Sequence, residues 1–259
     1  MQHSTGYIIG FAAAVCLVAS LFVAGSAVGL KDRQDANKLL DLQKKVLTVS
    51  GLMTADDGLS VEEITRLYAS SIRPKAIDLK SGALTPEIDP DVFDQLKASR
   101  DEELSFEAPT NLSKIRRLPN NALVFDVVEN GELKALIFPI EGYGLWGTLY
   151  GYIALAPDAR TVVGITFYKH KETPGLGGEV DNPRWKARWP GRLAFNERGK
   201  VVLGVKKGVA GTVEEDPYNV DGLSGATITS RGVTNLLRFW LGENGYGPYL
   251  TGYRAQAGV

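Results

Sequence analysis

Residues 122–140 read ALVFDVVENGELKALIFPI. Two apolar-rich runs, Ala122–Val128 and Leu133–Ile140, are joined by Glu129-Asn130-Gly131-Glu132. An Asn-Gly pair between such runs is a hairpin signal, because both central residues of the tight turn take a positive φ. Downstream, Leu149–Leu155, Val162–Tyr168, Arg192–Phe195 and Val201–Val205 read as further strands, with Asn196–Lys200 as the turn between the last two. Gly232–Leu241 reads as a helix whose inner face carries Val233, Leu236, Leu237 and Trp240. Upstream, Leu39, Leu42, Val46 and Val49 recur at helical spacing and stop near Gly51. Ser60-Val61-Glu62-Glu63 has the form of a capping box and opens a helix with Ile64, Leu67, Tyr68 and Ile72 inside, closed by Pro74. A short helix is expected over Asp91–Ala98. The fold class expected is α+β, a mainly antiparallel sheet with flanking helices before and after it.

The amino-terminal part is different in kind. Tyr7–Leu30, YIIGFAAAVCLVASLFVAGSAVGL, holds no charged residue. As a helix it would be about 36 Å long, enough to span a hydrocarbon core of about 30 Å. A cleaved signal peptide is the alternative, and Ala24-Gly25-Ser26-Ala27 would suit cleavage. The missing basic residues before the run and its length favour an uncleaved transmembrane helix. Gly6–Gly10 and Gly25–Gly29 are GxxxG spacings that permit close helix approach, though they recur by chance in such spans. Cys16, mid-span, reads as packing. Lys31, Arg33, Lys38, Lys44 and Lys45 follow the span, which a simple positive-inside count would place in the cytoplasm. Long domains translocate largely regardless of flanking charge, so the sequence physics leaves orientation open. The chain therefore reads as residues 1–30 with a transmembrane helix at about 7–30, a helical linker and elaboration over 31–120, and a domain core over 121–259.

The 259 residues carry 29 Lys+Arg against 30 Asp+Glu, a balance that argues against nucleic acid as a partner. One Cys and two His exclude an intramolecular disulfide and leave no ligand set for a metal cluster held by this chain alone. No metal site and no protein acid/base catalyst is expected.

Three Gly-rich segments carry the chemistry: Gly142-Tyr143-Gly144-Leu145-Trp146-Gly147; His170-Lys171-Glu172-Thr173-Pro174-Gly175-Leu176-Gly177-Gly178; and Asp221-Gly222-Leu223-Ser224-Gly225-Ala226-Thr227-Ile228-Thr229-Ser230. None is a Rossmann fingerprint or a P-loop. The third leads into the last helix, where free backbone N–H groups suit a phosphate and Thr227, Thr229 and Ser230 add hydroxyls. Taken singly, each has a plain structural reading: Ser and Thr cap helices, Gly and Pro make turns, and Trp146 reads as core. Lys206 and Lys207 read first as solvated surface and second as charge support for an anion. His170 reads as structural.

Asp221-x-x-Ser224-Gly225-Ala226-Thr227 resembles the flavinylation motif of the FMN-binding domains of bacterial respiratory complexes. The loops His170-x-Glu172-Thr173-Pro174-Gly175-Leu176-Gly177 and Gly144-Leu145-Trp146-Gly147 resemble that family's other two segments, in the same order. One apolar span followed by a domain of this size resembles the C subunits of Na⁺-translocating NADH:quinone oxidoreductases (Na⁺-NQR). The G subunits of Rnf complexes come next, and the long 31–120 insert and the Leu-Trp-Gly loop favour the former. The resemblance implies FMN as cofactor, covalently bound through its phosphate to Thr227. It implies FMN contacts from Asp221, Ser224, Gly225, Ala226, Thr229 and Gly175, packing of Leu145, Trp146 and Leu176 against the ring faces, a bond from Thr173 to the ring's polar edge, and an anchoring role for Glu172. It implies an electron-relay subunit of a membrane respiratory complex in the bacterial inner membrane, with a periplasmic flavin domain. Its partners would be the other membrane subunits, and during maturation a Mg²⁺-dependent flavin transferase that uses FAD. The competing reading from another class is a non-redox, membrane-anchored binding or scaffold domain whose Gly-rich loops are only turns.

Overall fold

The computed structural model describes residues 4–54 and 56–258. The chain divides into two compact units after Leu42, within one unbroken helix, α1 (Thr5–Val49). In the first unit the helix is exposed from Thr5 to Leu39, and Leu40 and Leu42 are half-buried. It contains an 18-residue window of mean hydropathy 2.5, and among the described residues it is the one helix long and apolar enough to cross a membrane.

The second unit is built on a five-stranded antiparallel sheet in the order β1-β4-β5-β6-β7. Its strands are β1 (Ile72–Asp78), β4 (Asn121–Glu129), β5 (Glu132–Tyr143), β6 (Thr148–Leu155) and β7 (Val162–Lys169). The β4–β5 hairpin turns at Asn130 and Gly131, both at positive φ (52° and 81°), as the Asn-Gly pair required. The last turn of α1 belongs to this unit: Val46, Leu47 and Val49 are buried. β2 (Ser105–Glu107) and β3 (Arg117–Pro119) form a separate antiparallel ribbon, preceded by α3 (Gln95–Ala98), which Asp94 caps by accepting from Lys97 N–H.

The helix after Ser60 is α2 (Val61–Ser71), with both bonds of the capping box made. It ends before Pro74, not at it. Ile72 already starts β1, and Pro74 sits inside that strand opposite Phe125. β1 is a sheet edge, where a residue without an N–H is tolerated. The expected strands at Arg192–Phe195 and Val201–Val205 are corrected too. They make only isolated bridges, Thr161 with Leu193 and Phe195 with Val201, while β8 (Gly204–Val205) pairs in parallel with β9 (Asn219–Val220). Buried Arg192 explains the irregular path, since its guanidinium donates to the carbonyls of Gly211, Thr212 and Asp216 and so draws that loop in.

A short 3₁₀ turn (Gly177–Asp181) and α4 (Pro183–Lys186) follow β7. α5 (Thr227–Trp240) begins five residues before the expected start and packs across β5. Leu236 sits on Gly142, where a Cβ would stand 2.5 Å from the Leu236 Cβ, and Trp240 Nε1 donates to the Glu141 carbonyl at 2.7 Å. A final helix, α6 (Gly247–Ala257), was not expected from the sequence.

Candidate functional site

The three Gly-rich segments meet at the start of α5. The Gly144–Gly147 loop closes on itself, Gly144 N–H donating to the Gly147 carbonyl at 2.8 Å. In the second loop the Thr173 carbonyl accepts from Leu176 N–H (3.1 Å) and Gly178 N–H (2.9 Å). Glu172 joins both loops to the helix. Its Oε1 accepts from Leu145 N–H (3.0 Å) and Trp146 N–H (2.9 Å), and its Oε2 accepts from Thr229 Oγ1 (2.5 Å). The contact is so close that a Cβ on Gly177 would lie 2.5 Å from Glu172 Oε2 and 2.6 Å from Thr229 Oγ1.

Thr227, Ser224 and Gly225 are exposed, and Ala226, the residue before the helix, is buried and provides no side-chain cap. The helix therefore starts with its donors free. Among the described residues the backbone N–H groups of Ser224, Gly225, Thr227, Ile228 and Thr229 take no acceptor, while Ala226 N–H is bound to Leu223 and Ser230 N–H to Ala226. Four of these donors, on the exposed residues Ser224, Gly225, Thr227 and Ile228, stand beside a positive helix end and suit an anion. Gly225, at φ 69°, turns the chain there.

The expectation that Thr229 and Ser230 hold out hydroxyls at this point is corrected. Thr229 is fully buried and its hydroxyl is bound to Glu172, and Ser230 Oγ accepts from Leu223 N–H. Both tighten the turn, leaving Thr227 and Ser224 as the exposed hydroxyls. The Asp221 carboxylate is also engaged, with Ala210 N–H at 2.7 Å and with Arg188, and its carbonyl accepts from Trp185 Nε1 at 2.9 Å. Trp185 and Arg188 are residues that sequence reasoning missed. They lie 36 and 33 positions before Asp221, outside any recognisable motif.

Around the free donors stand apolar side chains that a soluble surface does not need: Leu145 (40% exposed), Trp146 (63%), Leu176 (45%) and Ile228 (48%). Ile228 lies within the third segment and was not singled out from the sequence. Thr173 and Gly175 are exposed on the same loop as Leu176. His170 is structural: its Nδ1 accepts from Glu172 N–H (3.2 Å), which leaves Nε2 to donate to Asp181 (2.8 Å). Lys206 pairs with Asp216 at 3.3 Å, and Lys207 is exposed. Free N–H donors and an uncapped helix end fit a phosphate, while exposed apolar side chains fit a flat ring. The donor set therefore suits a phosphorylated aromatic cofactor such as FMN.

Comparison with known proteins agrees with this geometry. The FMN-binding domain family matches residues 144–242, which take in Gly144–Gly147 of the first segment and the whole of the other two. The C subunit of the Na(+)-translocating NADH-quinone reductase of Pseudomonas aeruginosa is 45% identical over 98% of this chain and 97% of its own length. The corresponding protein of Vibrio alginolyticus is 39% identical over 98% and 95%. The crystal structure of Shewanella oneidensis NqrC superposes with a TM-score of 0.78 at 34% identity, covering 85% of this chain and 99% of that one.

Proposed function

This chain belongs to the family of C subunits of Na⁺-translocating NADH-quinone reductases, and from that premise we propose that it carries FMN esterified to Thr227 and relays electrons between partner subunits. The observation that carries the reading is the exposed Thr227 hydroxyl set among four free backbone donors on exposed residues, with the neighbouring Thr229 and Ser230 hydroxyls engaged elsewhere.

When bound, FMN supplies the electron-transfer chemistry, and no nucleophile or general base is required of the protein. The residues here bind and orient. The free donors stabilise a phosphate's charge at the helix end. Leu145, Trp146, Leu176 and Ile228 offer apolar surface to a ring system. Thr227 Oγ1 would hold the FMN phosphate as an ester; from FAD this would be a phosphoryl transfer with AMP as the leaving group and loss of the hydroxyl proton. A separate flavin transferase would catalyse it.

NADH oxidation, quinone reduction and Na⁺ passage fall to partner subunits on this reading. The chain has no nucleotide fingerprint, and no Asp, Glu, Lys or Arg lies between Tyr7 and Leu30. The apolar part of α1 supports a membrane anchor. The flavin domain is assigned to the periplasmic side of the inner membrane, which protease treatment of intact spheroplasts would check.

The test is intact mass after co-expression with the flavin transferase. Wild type should gain the mass of FMN less water, and Thr227→Ala should not. Unmodified wild type, or modification mapped to Ser224, would overturn the assignment.

A further inference from the structure

We propose that Glu172 is the positioning residue of this site: its carboxylate sets the spacing of the two loops against the first turn of α5 and places one negative charge among them. The inference rests on reading Thr227 as the FMN attachment point.

Glu172 is 5% exposed and has no cation within ion-pair distance among the described residues. A buried carboxylate without a cation is costly unless donors surround it. Here three do: the Leu145 and Trp146 N–H groups on one oxygen and the Thr229 hydroxyl on the other. All three are donors, so an acceptor-only group is what this pocket fits. The residues around it are shaped to the same end. A Cβ on Gly144 would stand 2.7 Å from Oε1, and one on Gly177 would stand 2.5 Å from Oε2. The main chain is held as well, because Glu172 N–H donates to His170, itself bound to Asp181.

Two consequences follow. Because the Leu145 and Trp146 N–H groups are taken by Glu172, these residues are left to meet a flavin through their side chains, which stand exposed. A fixed negative charge near a flavin opposes adding an electron to it, so Glu172 holds the midpoint potential down. The Thr229 hydroxyl partly neutralises that charge.

The experiment uses the full chain in detergent, in wild-type form and as Glu172→Gln, Glu172→Ala and Thr229→Val. Hydrogen exchange of the 144–147 peptide is followed on unflavinylated protein, and the midpoint potential on the flavinylated protein. Glu172→Ala should speed exchange of that peptide at least tenfold. Glu172→Gln, which keeps the shape and loses the charge, should move the potential positive. Thr229→Val, which removes a donor to the charge, should move it negative. Unchanged exchange in Glu172→Ala overturns the positioning role. Potentials that stay put, or move the same way in both other variants, overturn the charge role. Should Glu172→Ala fail to fold, the Gln and Val variants still decide the charge role, and Glu172→Asp, whose carboxylate falls one methylene short of the Leu145 and Trp146 N–H groups, decides the positioning role by the same faster exchange. If wild type carries no flavin on Thr227, the attachment reading fails by itself, and the exchange arm still tests the clamp.

Discussion

At Gly225 the backbone stands at φ 69°, and a Cβ there would come 2.9 Å from Leu176 Cδ2. Gly225→Ala should therefore destabilise the domain by roughly 1–2 kcal/mol, the cost of a left-handed non-Gly residue. It should also lower flavin incorporation, because the Leu176 side chain must move from its place beside the helix start. Gly199, at φ 72° in the Asn196–Lys200 turn with nothing near its Cβ position, is the control. Gly199→Ala should show a similar loss in urea unfolding with full incorporation by mass. Equal incorporation in both variants would show that the Gly225–Leu176 contact does not matter to the site. At this scale the site was half legible. Thr227, Gly225 and the exposed Leu145, Trp146 and Leu176 sit in short motifs that spacing can display. The bonds of Glu172 join residues 26, 27 and 57 positions apart, and no local pattern encodes them. For the same reason Thr229 looked like a ligand hydroxyl until its tertiary partner was seen.

Among the elements, α2 and β5 give separable tests. Ser60→Ala removes the side-chain bond of the capping box, in which Ser60 Oγ accepts from Glu63 N–H, and leaves the Ser60 N–H bond to Glu63; it should cost about 1 kcal/mol in urea unfolding, with flavin incorporation unchanged. On β5, burial pushes the Glu141 carboxyl up from an ordinary 4.5 to about 7, opposed by Arg100. It lines a cavity of about 540 Å³ together with Arg100, Lys114, Arg116, Arg117 and Tyr150. Between pH 4.5 and pH 7 the folded chain holds a proton on this group that the unfolded chain has released. Its contribution to stability is thus intact below pH 4.5, falls as pH rises to about 7, and is level above. The loss is on the order of 3 kcal/mol. Glu141→Gln should abolish that slope and be the more stable form at pH 8, as urea unfolding at pH 5, 6, 7 and 8 would show; parallel slopes in the two proteins would refute it. The elements that the sequence disclosed are those with a strong local signature: the Asn-Gly hairpin and the capping box. β1 was hidden because Pro74 reads as a helix stop, and only its edge position makes the residue acceptable in a strand. The early start of α5 was hidden because Thr227-Ile228-Thr229, β-branched and uncapped, gives no helix signal. It is the tie from Thr229 to Glu172 and from Ser230 to Leu223 that holds this turn.

For the molecule as a whole, the division after Leu42 makes a physical claim that the apolar pattern alone does not. The hydrophobic run ends at Leu30, yet the helix continues to Val49, and its last turn is part of the second unit's core. Cutting at the end of the apolar run and cutting at the end of the helix should give different proteins. A chain starting at Gln43 keeps Val46, Leu47 and Val49, which are buried to within 2%. It should be soluble without detergent, unfold cooperatively and accept flavin on Thr227. A chain starting at Ser50 exposes the surfaces those three side chains cover, at roughly 1.5–3 kcal/mol each. That loss is a large share of the 5–15 kcal/mol that typically separates a folded domain from its unfolded chain. The Ser50 chain should therefore unfold at much lower urea, by tryptophan fluorescence, and recover poorly from the soluble fraction. Equal urea midpoints would mean that the last turn of α1 adds nothing to the domain, and that the boundary belongs after Val49. The difference matters for function because Val49 packs on β7: a Cβ at Gly164 would stand 2.6 Å from the Val49 carbonyl oxygen. β7 leads at its other end directly into His170 and Glu172. The last turn of α1 thus reaches the second Gly-rich loop through one strand, and the Ser50 chain should show faster hydrogen exchange in the 162–172 peptide, whereas the Gln43 chain should match the full-length protein there.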